Sequence, residues 1–427
     1  MGVSVAYMGM THLGLNSAAG ALARGHKVIC FDPDIGLIEA LADGRLPVHE
    51  PDLAETFAEY RGQLKFSHDL DDLGSCDVVY VAPDVATDDH GVSDLQSLVE
   101  ILSLAEHNAR EDAPVVILSQ VPPGFTRSRY RPDRLLYYQV ETLVFGRAVD
   151  RARNPERFIV GCADPEQSLA PALHAFLQSF DCPILPMRFE SAELAKIAIN
   201  CFLVAQVTTT NTLAEICEEI GANWDEIAPA LRLDERIGTK AYLSPGLGIS
   251  GGNLERDLAT VVSIGKVHDT DVGMINSEVE NSSHRKMWAS RVLRDYVLLG
   301  LVDPKIAVWG LAYKKDTHSV KNSPSIATLR SFPETNFSVH DPMVKVPDTG
   351  LSNLIACDDP IAAADGADCL MILTPWDEYQ AIDTQTLVSV MRGKTIIDPF
   401  GVLNVDGHPG LRVFRLGRPF SVGRQDA

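Results

Sequence analysis

Short apolar runs alternating with helical stretches, in two series separated by a helical middle, predict an α/β protein with two doubly wound domains. The first series has apolar runs at 3–8, 27–31, 78–82, 114–118 and 158–161. Strands separated by helical stretches imply a parallel sheet covered by helices on both faces. The second series begins at 305–309 and continues at 337–340, 369–373, 395–398 and 411–416. Between them, 191–221 reads as one long helix of about 45 Å at 1.5 Å per residue. A helix of that length crosses between domains or packs against a second subunit. The expected boundaries are 1–188, 189–298 and 299–427, with no internal repeat, low-complexity stretch or coiled coil.

Composition narrows the class. The chain has 427 residues, and 37 basic against 58 acidic side chains leave a formal charge of −21. That acidity argues against nucleic acid or an anionic membrane surface as the main partner. No apolar run reaches the roughly 18 residues expected of a membrane helix, and the opening residues read as a strand rather than a signal peptide. Eight cysteines at 30, 76, 162, 182, 201, 217, 357 and 369 form no CxxC pair. This predicts reduced, mostly buried thiols in a cytoplasmic protein, with neither a disulfide framework nor a zinc site.

Taken in order, the first strand leads into Gly9-Met10-Thr11-His12-Leu13-Gly14. Residues 15–24 follow as a helix with Gly25 as its C-terminal cap. In the dinucleotide fingerprint the first glycine makes the tight turn, the second admits the pyrophosphate and the third packs helix on strand. Gly9 and Gly14 have that spacing, but Thr11 occupies the middle position. Asp32 ends the second strand, 18 residues after Gly14, where a carboxylate can accept hydrogen bonds from a ribose. No arginine follows to neutralise a 2′-phosphate, so this Rossmann-like opening favours NAD over NADP. A glycine turn that binds no nucleotide is the alternative, and His12 reads as incidental rather than catalytic.

On the long helix, Ser191 is the expected N-cap with Glu193 in the first turn. Lys196 and Asn200 lie four apart, on one face of an otherwise apolar stretch. Lysine and asparagine together can orient a substrate oxygen or a water and stabilise developing negative charge; the alternative is a solvated stripe. The glycine-rich segment 245–257 implies backbone held close to a ligand, against the alternative of a flexible surface loop.

Together these features resemble the UDP-glucose/GDP-mannose dehydrogenase family over almost the whole chain. Gly25-His26-Lys27-Val28 with Asp32, Pro47-Val48-His49-Glu50-Pro51, and Ser119-Gln120-Val121-Pro122-Pro123-Gly124 are similar to family motifs. So are Glu141-Thr142-Leu143, the helix motif from Ala192 to Asn200, Gly310 to Thr317, and Ser323-Pro324. The resemblance implies an N-terminal NAD-binding Rossmann domain, a central dimerisation domain, a C-terminal UDP-sugar-binding Rossmann-like domain, and a homodimer through the central helix. Family enzymes oxidise C6 of a nucleotide-bound hexose twice with NAD, using a cysteine that forms a thiohemiacetal and then a thioester. By resemblance Lys196, Asn200, Glu141 and Asp257 hold the reacting oxygens and water, and Gln120 lies near the nicotinamide. Tyr242 and Leu243 sit at the nucleotide end, Lys314 and Arg418 meet the diphosphate and sugar, and Arg236 reaches a neighbouring subunit. Gly251 belongs to the glycine loop that approaches the substrate.

Aligned on Asp257, however, the cysteine position is Asn253, whose amide has no useful nucleophilicity. Cys201, next to a site residue, is turned about 100° from Asn200 on the helix and is not expected to substitute. Thr11, Gln120, Phe145, Lys321 and Pro399-Phe400-Gly401 also depart from the family pattern. Three readings follow: an NAD-dependent nucleotide-sugar oxidoreductase without covalent catalysis; a redox-neutral nucleotide-sugar epimerase with bound NAD; or a non-catalytic nucleotide-sugar-binding relative.

Overall fold

Parallel strands buried on both faces must be largely apolar, and the central strands Val78–Val81, Val115–Ile117, Ile306–Trp309 and Cys369–Ile372 are. The structure, a computed structural model, describes residues 2–87 and 93–420. It divides into two compact units on either side of the Ile199/Asn200 junction, which falls inside the helix Phe189–Ile220.

The first unit is built on an eight-stranded sheet. Its spatial order is Ile184–Arg188, Phe158–Cys162, Leu136–Gln139, Val115–Ile117, Val78–Val81, Ser4–Met8, Lys27–Phe31 and Leu64–Ser67. Side-chain alternation along each central strand feeds two cores. Val5, Tyr7, Val78 and Tyr80 pack on one face, and Ala6, Met8, Val79 and Val81 on the other. The expected all-parallel sheet needs one correction. Phe158–Cys162 pairs antiparallel with Leu136–Gln139, and Ile184–Arg188 follows it in parallel, so the last two strands are reversed.

The second unit contains a six-stranded, wholly parallel sheet. Its order is Leu354–Ala356, Phe337–His340, Ile306–Trp309, Cys369–Ile372, Thr395–Ile397 and Arg412–Phe414. In each unit the strand order reverses beside the first strand, which creates the crevice where doubly wound sheets take ligands. The crevices open between Ser4–Met8 and Val78–Val81, and between Ile306–Trp309 and Cys369–Ile372.

The long helix begins at Phe189. Ser191, expected as its cap, therefore lies within the first turn, because the strand Ile184–Arg188 runs directly into the helix. Among the described residues this is the one helix with the length and apolar composition of a membrane span. Its polar residues are nonetheless bonded to protein: Gln206 accepts from Tyr242 N, Thr210 donates to Tyr242 O, and Asn211 accepts from Gly246 N.

Helices Trp224–Leu233, Asn253–His268 and Gly273–Lys286 complete the second unit together with its sheet. Glu218, on the long helix, is a buried polar tie to helix Gly273–Lys286 and beyond, accepting from Arg285 Nη2 (2.7 Å), Trp288 Nε1 (2.7 Å) and Gly417 N (2.8 Å). Glu218→Ala leaves the buried Arg285 guanidinium without its closest carboxylate. It is expected to destabilise the protein by about 3–5 kcal/mol, measured by urea unfolding followed through tryptophan fluorescence; a change below about 1 kcal/mol would contradict this role.

Candidate active site

In the first unit, the strand Ser4–Met8 ends at Gly9, whose φ is +97°. A Cβ there would lie 2.7 Å from Pro83 N, and one at Gly14 would lie 2.0 Å from Gly9 O. Both positions therefore require glycine for the turn and the close approach of helix to strand. Thr11 stands at the N-cap of helix His12–Ala23, but its side chain does not cap the helix. Its hydroxyl instead donates to Ala82 O (3.4 Å) and accepts from Asp84 N (2.9 Å).

The cap comes from across the crevice. Asp84 Oδ2 accepts from His12 N at 3.1 Å and Oδ1 from Leu13 N at 3.3 Å. These amides head the helix, where this fold holds a pyrophosphate. The residue is exposed, yet its carboxyl is set against the loop. Desolvation raises its pKa above the usual carboxylate range, against the opposing pull of His12, the two amides and Thr11. Asp32 Oδ2 accepts from Met10 N at 2.8 Å, and Gln120 is half-buried beyond the strand Val115–Ile117. Gly9, Gly14 and Asp32 thus fit NAD at the turn and the ribose, while Asp84 holds the phosphate end.

His12 is structural. Its Nε2 lies 2.8 Å from Glu50 Oε1 and its ring stacks on Phe145 at 4.1 Å. Glu50 also accepts from Gly146 N and Ala148 N, so the pair ties the 144–148 loop to the phosphate loop. In the same unit Lys196 Nζ sits 2.6 Å from Glu141 Oε1 and 3.2 Å from the Glu141 carbonyl oxygen. Glu193, on the preceding turn of the helix, accepts from Gly124 N (2.6 Å) and Thr126 N (2.8 Å), and burial raises its pKa.

In the second unit Asn200 Nδ2 donates to Asp257 Oδ2 at 2.5 Å, and Arg256 Nε donates to Asp257 Oδ1 at 3.3 Å. The glycine-rich segment is fixed rather than flexible. Gly246 N donates to Asn211 Oδ1, Ile249 N to Ser282 Oγ, and Gly251 N to Lys321 O. Gly251 (φ +93°) lies under the Tyr313 ring, where a Cβ would come within 2.7 Å. Gly252 (φ +106°) lies under the Lys321 side chain. Asn253 follows as the exposed first residue of helix Asn253–His268.

The remaining expected positions are dispersed through the second unit. Tyr242 is about half exposed, but Leu243 is buried in a small core with Trp224 and Ala228. Arg236 pairs with Asp234 at the surface, and Arg418 pairs with Asp225 (Nη2–Oδ2 2.6 Å). Lys314 Nζ lies 5.8 Å from the Tyr313 ring centre. Cys201 packs with Val204, Ile249 and Leu258, and burial, reinforced by Asp257 and Glu278, pushes its pKa up to about 11. It is a thiol, not a thiolate, at neutral pH.

A likeness between the units also emerges here that the residues alone do not display. Gly310 (φ +92°) turns against Thr374 as Gly9 turns against Pro83. Asp341 Oδ2 then accepts from Leu311 N, Ala312 N and Trp376 Nε1.

Comparison with known proteins agrees with this architecture. Residues 3–178 match the NAD binding domain of the UDP-glucose/GDP-mannose dehydrogenase family, 190–282 its central domain and 307–405 its UDP binding domain. The chain belongs to the UDP-glucose/GDP-mannose dehydrogenase family. It is 29% identical over 445 residues to UDP-glucose 6-dehydrogenase of Rhizobium meliloti (strain 1021), covering 98% of this chain and 100% of the relative. Identity to UDP-glucose 6-dehydrogenase AglM of Haloferax volcanii is 28% over 423 residues, covering 93% and 96%. A UDP-glucose dehydrogenase from Pyrobaculum islandicum superposes with TM-score 0.83 at 23% identity, covering 98% of each chain. UDP-D-ManNAc dehydrogenase from Pyrococcus horikoshii superposes with TM-score 0.82 at 23% identity, covering 97% and 99%. These two likenesses establish the fold. Family membership makes the protein an NAD-dependent nucleotide-sugar dehydrogenase.

Three residues important in this dehydrogenase were not identified from sequence as site-building groups. Asp84 and Glu193 act on amides distant in the chain, and no local pattern marks that use. Glu50 had a signal, its place in the Glu-Pro motif, but its partner His12 read as incidental. Because Cys201 is held protonated and faces apolar side chains, peptide-resolved mass spectrometry is expected to find it unalkylated by iodoacetamide at pH 7. Cys201→Ser is expected to leave NADH formation unchanged; its loss in a folded variant would make Cys201 the replacement nucleophile.

Proposed function

We propose that this dehydrogenase oxidises an alcohol carbon of a UDP- or GDP-linked hexose and releases the product without an enzyme-bound thioester. The observation that carries this reading is Asn253. It heads its helix immediately after the two glycines under Tyr313 and Lys321, at the position where the family motif has its cysteine. An amide nitrogen shares its lone pair with the carbonyl and forms no adduct with an aldehyde under these conditions. The Lys196–Glu141 and Asn200–Asp257 pairs are both present, which supports retained oxidation chemistry.

Gly9, Thr11, Gly14, Asp32 and Gln120 are the proposed NAD contacts, and bound NAD supplies the hydride acceptor. The Lys196 ammonium donates a hydrogen bond to the alcohol oxygen as it becomes a carbonyl. Asn200, one helical turn along, is the proposed donor of a further hydrogen bond through its amide. The hydroxyl proton passes to Glu141, 2.6 Å from the lysine, so the carbon loses a hydride and its oxygen a proton. Tyr242, Gly251, Lys314 and Arg418 are the proposed nucleotide-sugar contacts. Leu243 supports them from the core, and Arg236 is the proposed contact with a neighbouring subunit.

With a panel of UDP- and GDP-sugars, the expected result is one NADH per sugar and a carbonyl product that hydroxylamine traps. Lys196→Ala is expected to lower kcat by about 10²–10³, and Asn253→Cys to add a second NADH and an acid. Absence of NADH with every sugar would overturn the reading.

We also infer a homodimer through the central helix, supported by the exposure of Phe202 (73%), Ile216 and Ile220 (70%) along it. Such a row of large apolar side chains marks a contact surface. Sedimentation is expected to give about twice the 46.5 kDa chain mass, and Phe202→Glu with Ile220→Glu to give a monomer; a monomeric parent would exclude the dimer.

A further inference from the structure

The phosphate end of the NAD crevice departs from the fingerprint at two linked places. Thr11 stands where the middle glycine admits the pyrophosphate, and its hydroxyl is bonded to the 82–84 segment rather than to its own helix. The segment so tethered carries Asp84, which uses one carboxylate oxygen on each of two successive helix amides, His12 N and Leu13 N. A pyrophosphate needs the same donors, and two anions cannot share them at hydrogen-bond distance without strong repulsion.

We propose that Asp84 competes with the dinucleotide pyrophosphate for the head of helix His12–Ala23, so that NAD binds by displacing the carboxylate. Thr11 is the positioning residue that holds Asp84 in place. The proposal rests on the NAD-dependent reading and adds to it a determinant of cofactor affinity peculiar to these side chains.

Displacement is sterically open. Asp84 is exposed, so rotation about its side-chain bonds returns the carboxylate to water, which repays its lost hydrogen bonds. Asp32 and the two glycine contacts lie elsewhere on the loop and are unaffected by that rotation. Asp84 has two effects that separate experimentally. Its carboxylate stabilises the helix as a cap, so removing it lowers stability. It also blocks the anion site, so removing it raises affinity. A residue that served only as a cap would give the first effect alone.

The test uses the full chain, titrated calorimetrically with NAD and with ADP-ribose, which carries the diphosphate without the nicotinamide. Asp84→Ala is expected to bind both about tenfold more tightly than the parent, while its Tm without added dinucleotide falls by a few degrees. Asp84→Asn, which keeps size and one acceptor but loses the charge, is expected to gain affinity in the same direction and guards against misfolding of the alanine variant. Thr11→Gly is expected to tighten binding through release of the tether. Unchanged or weaker binding by both Asp84 variants, with the Tm lowered, would overturn the competition and leave Asp84 a cap. If millimolar NAD binds neither parent nor variants, the NAD-dependent reading fails along with it.

Discussion

Every helix that follows a strand in a doubly wound sheet begins with backbone amides that have no partner inside the helix. Which groups accept from those amides organises much of this molecule. The chain is rich in carboxylates, and it repeatedly spends them on this need. Asp84 serves the first helix, Glu193 the short helix after Gly124, Glu255 the amide of Gly252, and Asp341 the loop after Gly310. In three of these cases the acceptor comes from a distant part of the chain. The same bonds that terminate helices therefore hold together the loops from which the crevices are built.

This constraint also explains why the two crevices differ despite similar turns. In the second unit Asp341 takes both loop amides and the Trp376 indole, and it follows directly on the strand Phe337–His340, so it is anchored by the sheet. In the first unit the equivalent strand end is Asp32, which takes Met10 N from the glycine loop and Asp34 N from the turn that follows its own strand. The remaining amides go to Asp84, an exposed residue on another segment. One loop takes its acceptor from the end of a sheet strand; the other takes its acceptor from an exposed residue of a separate segment.

Each unit holds one polar pair of the proposed chemistry, and position 253 is an asparagine. Lys196–Glu141 and Asn200–Asp257 are short and largely shielded from solvent. Glycines 251 and 252 remain where a side chain would strike Tyr313 or Lys321. These features depend on packing, and substituting any of them would disturb neighbours. Asn253 is exposed at a helix start, so an asparagine there disturbs little. Position 253 is thus one where packing sets little constraint on the residue.

Central strands were legible because burial on both faces demands continuous apolar runs, and Lys27–Phe31 and Phe337–His340 coincide with their sequence boundaries. Leu64–Ser67, Ile184–Arg188 and Leu354–Ala356 were not, because edge strands need only half that burial and Ile184–Arg188 contains a proline. Leu136–Gln139 is an interior strand whose tyrosines and glutamine hid it. Tyr80 OH donates to Gln139 Oε1, a buried polar bond no single segment announces.

By itself the sequence determined the fold class, the glycine turn, the carboxylate at the end of the second strand and the asparagine at 253, since each is a property of residue type at a fixed local spacing. Tertiary structure alone decided that Asp84 caps the phosphate helix, that His12 serves Glu50, that Leu243 is core, and that two strands run backwards. Those outcomes depend on which groups meet across long separations in the chain, and local pattern carries no information about such meetings.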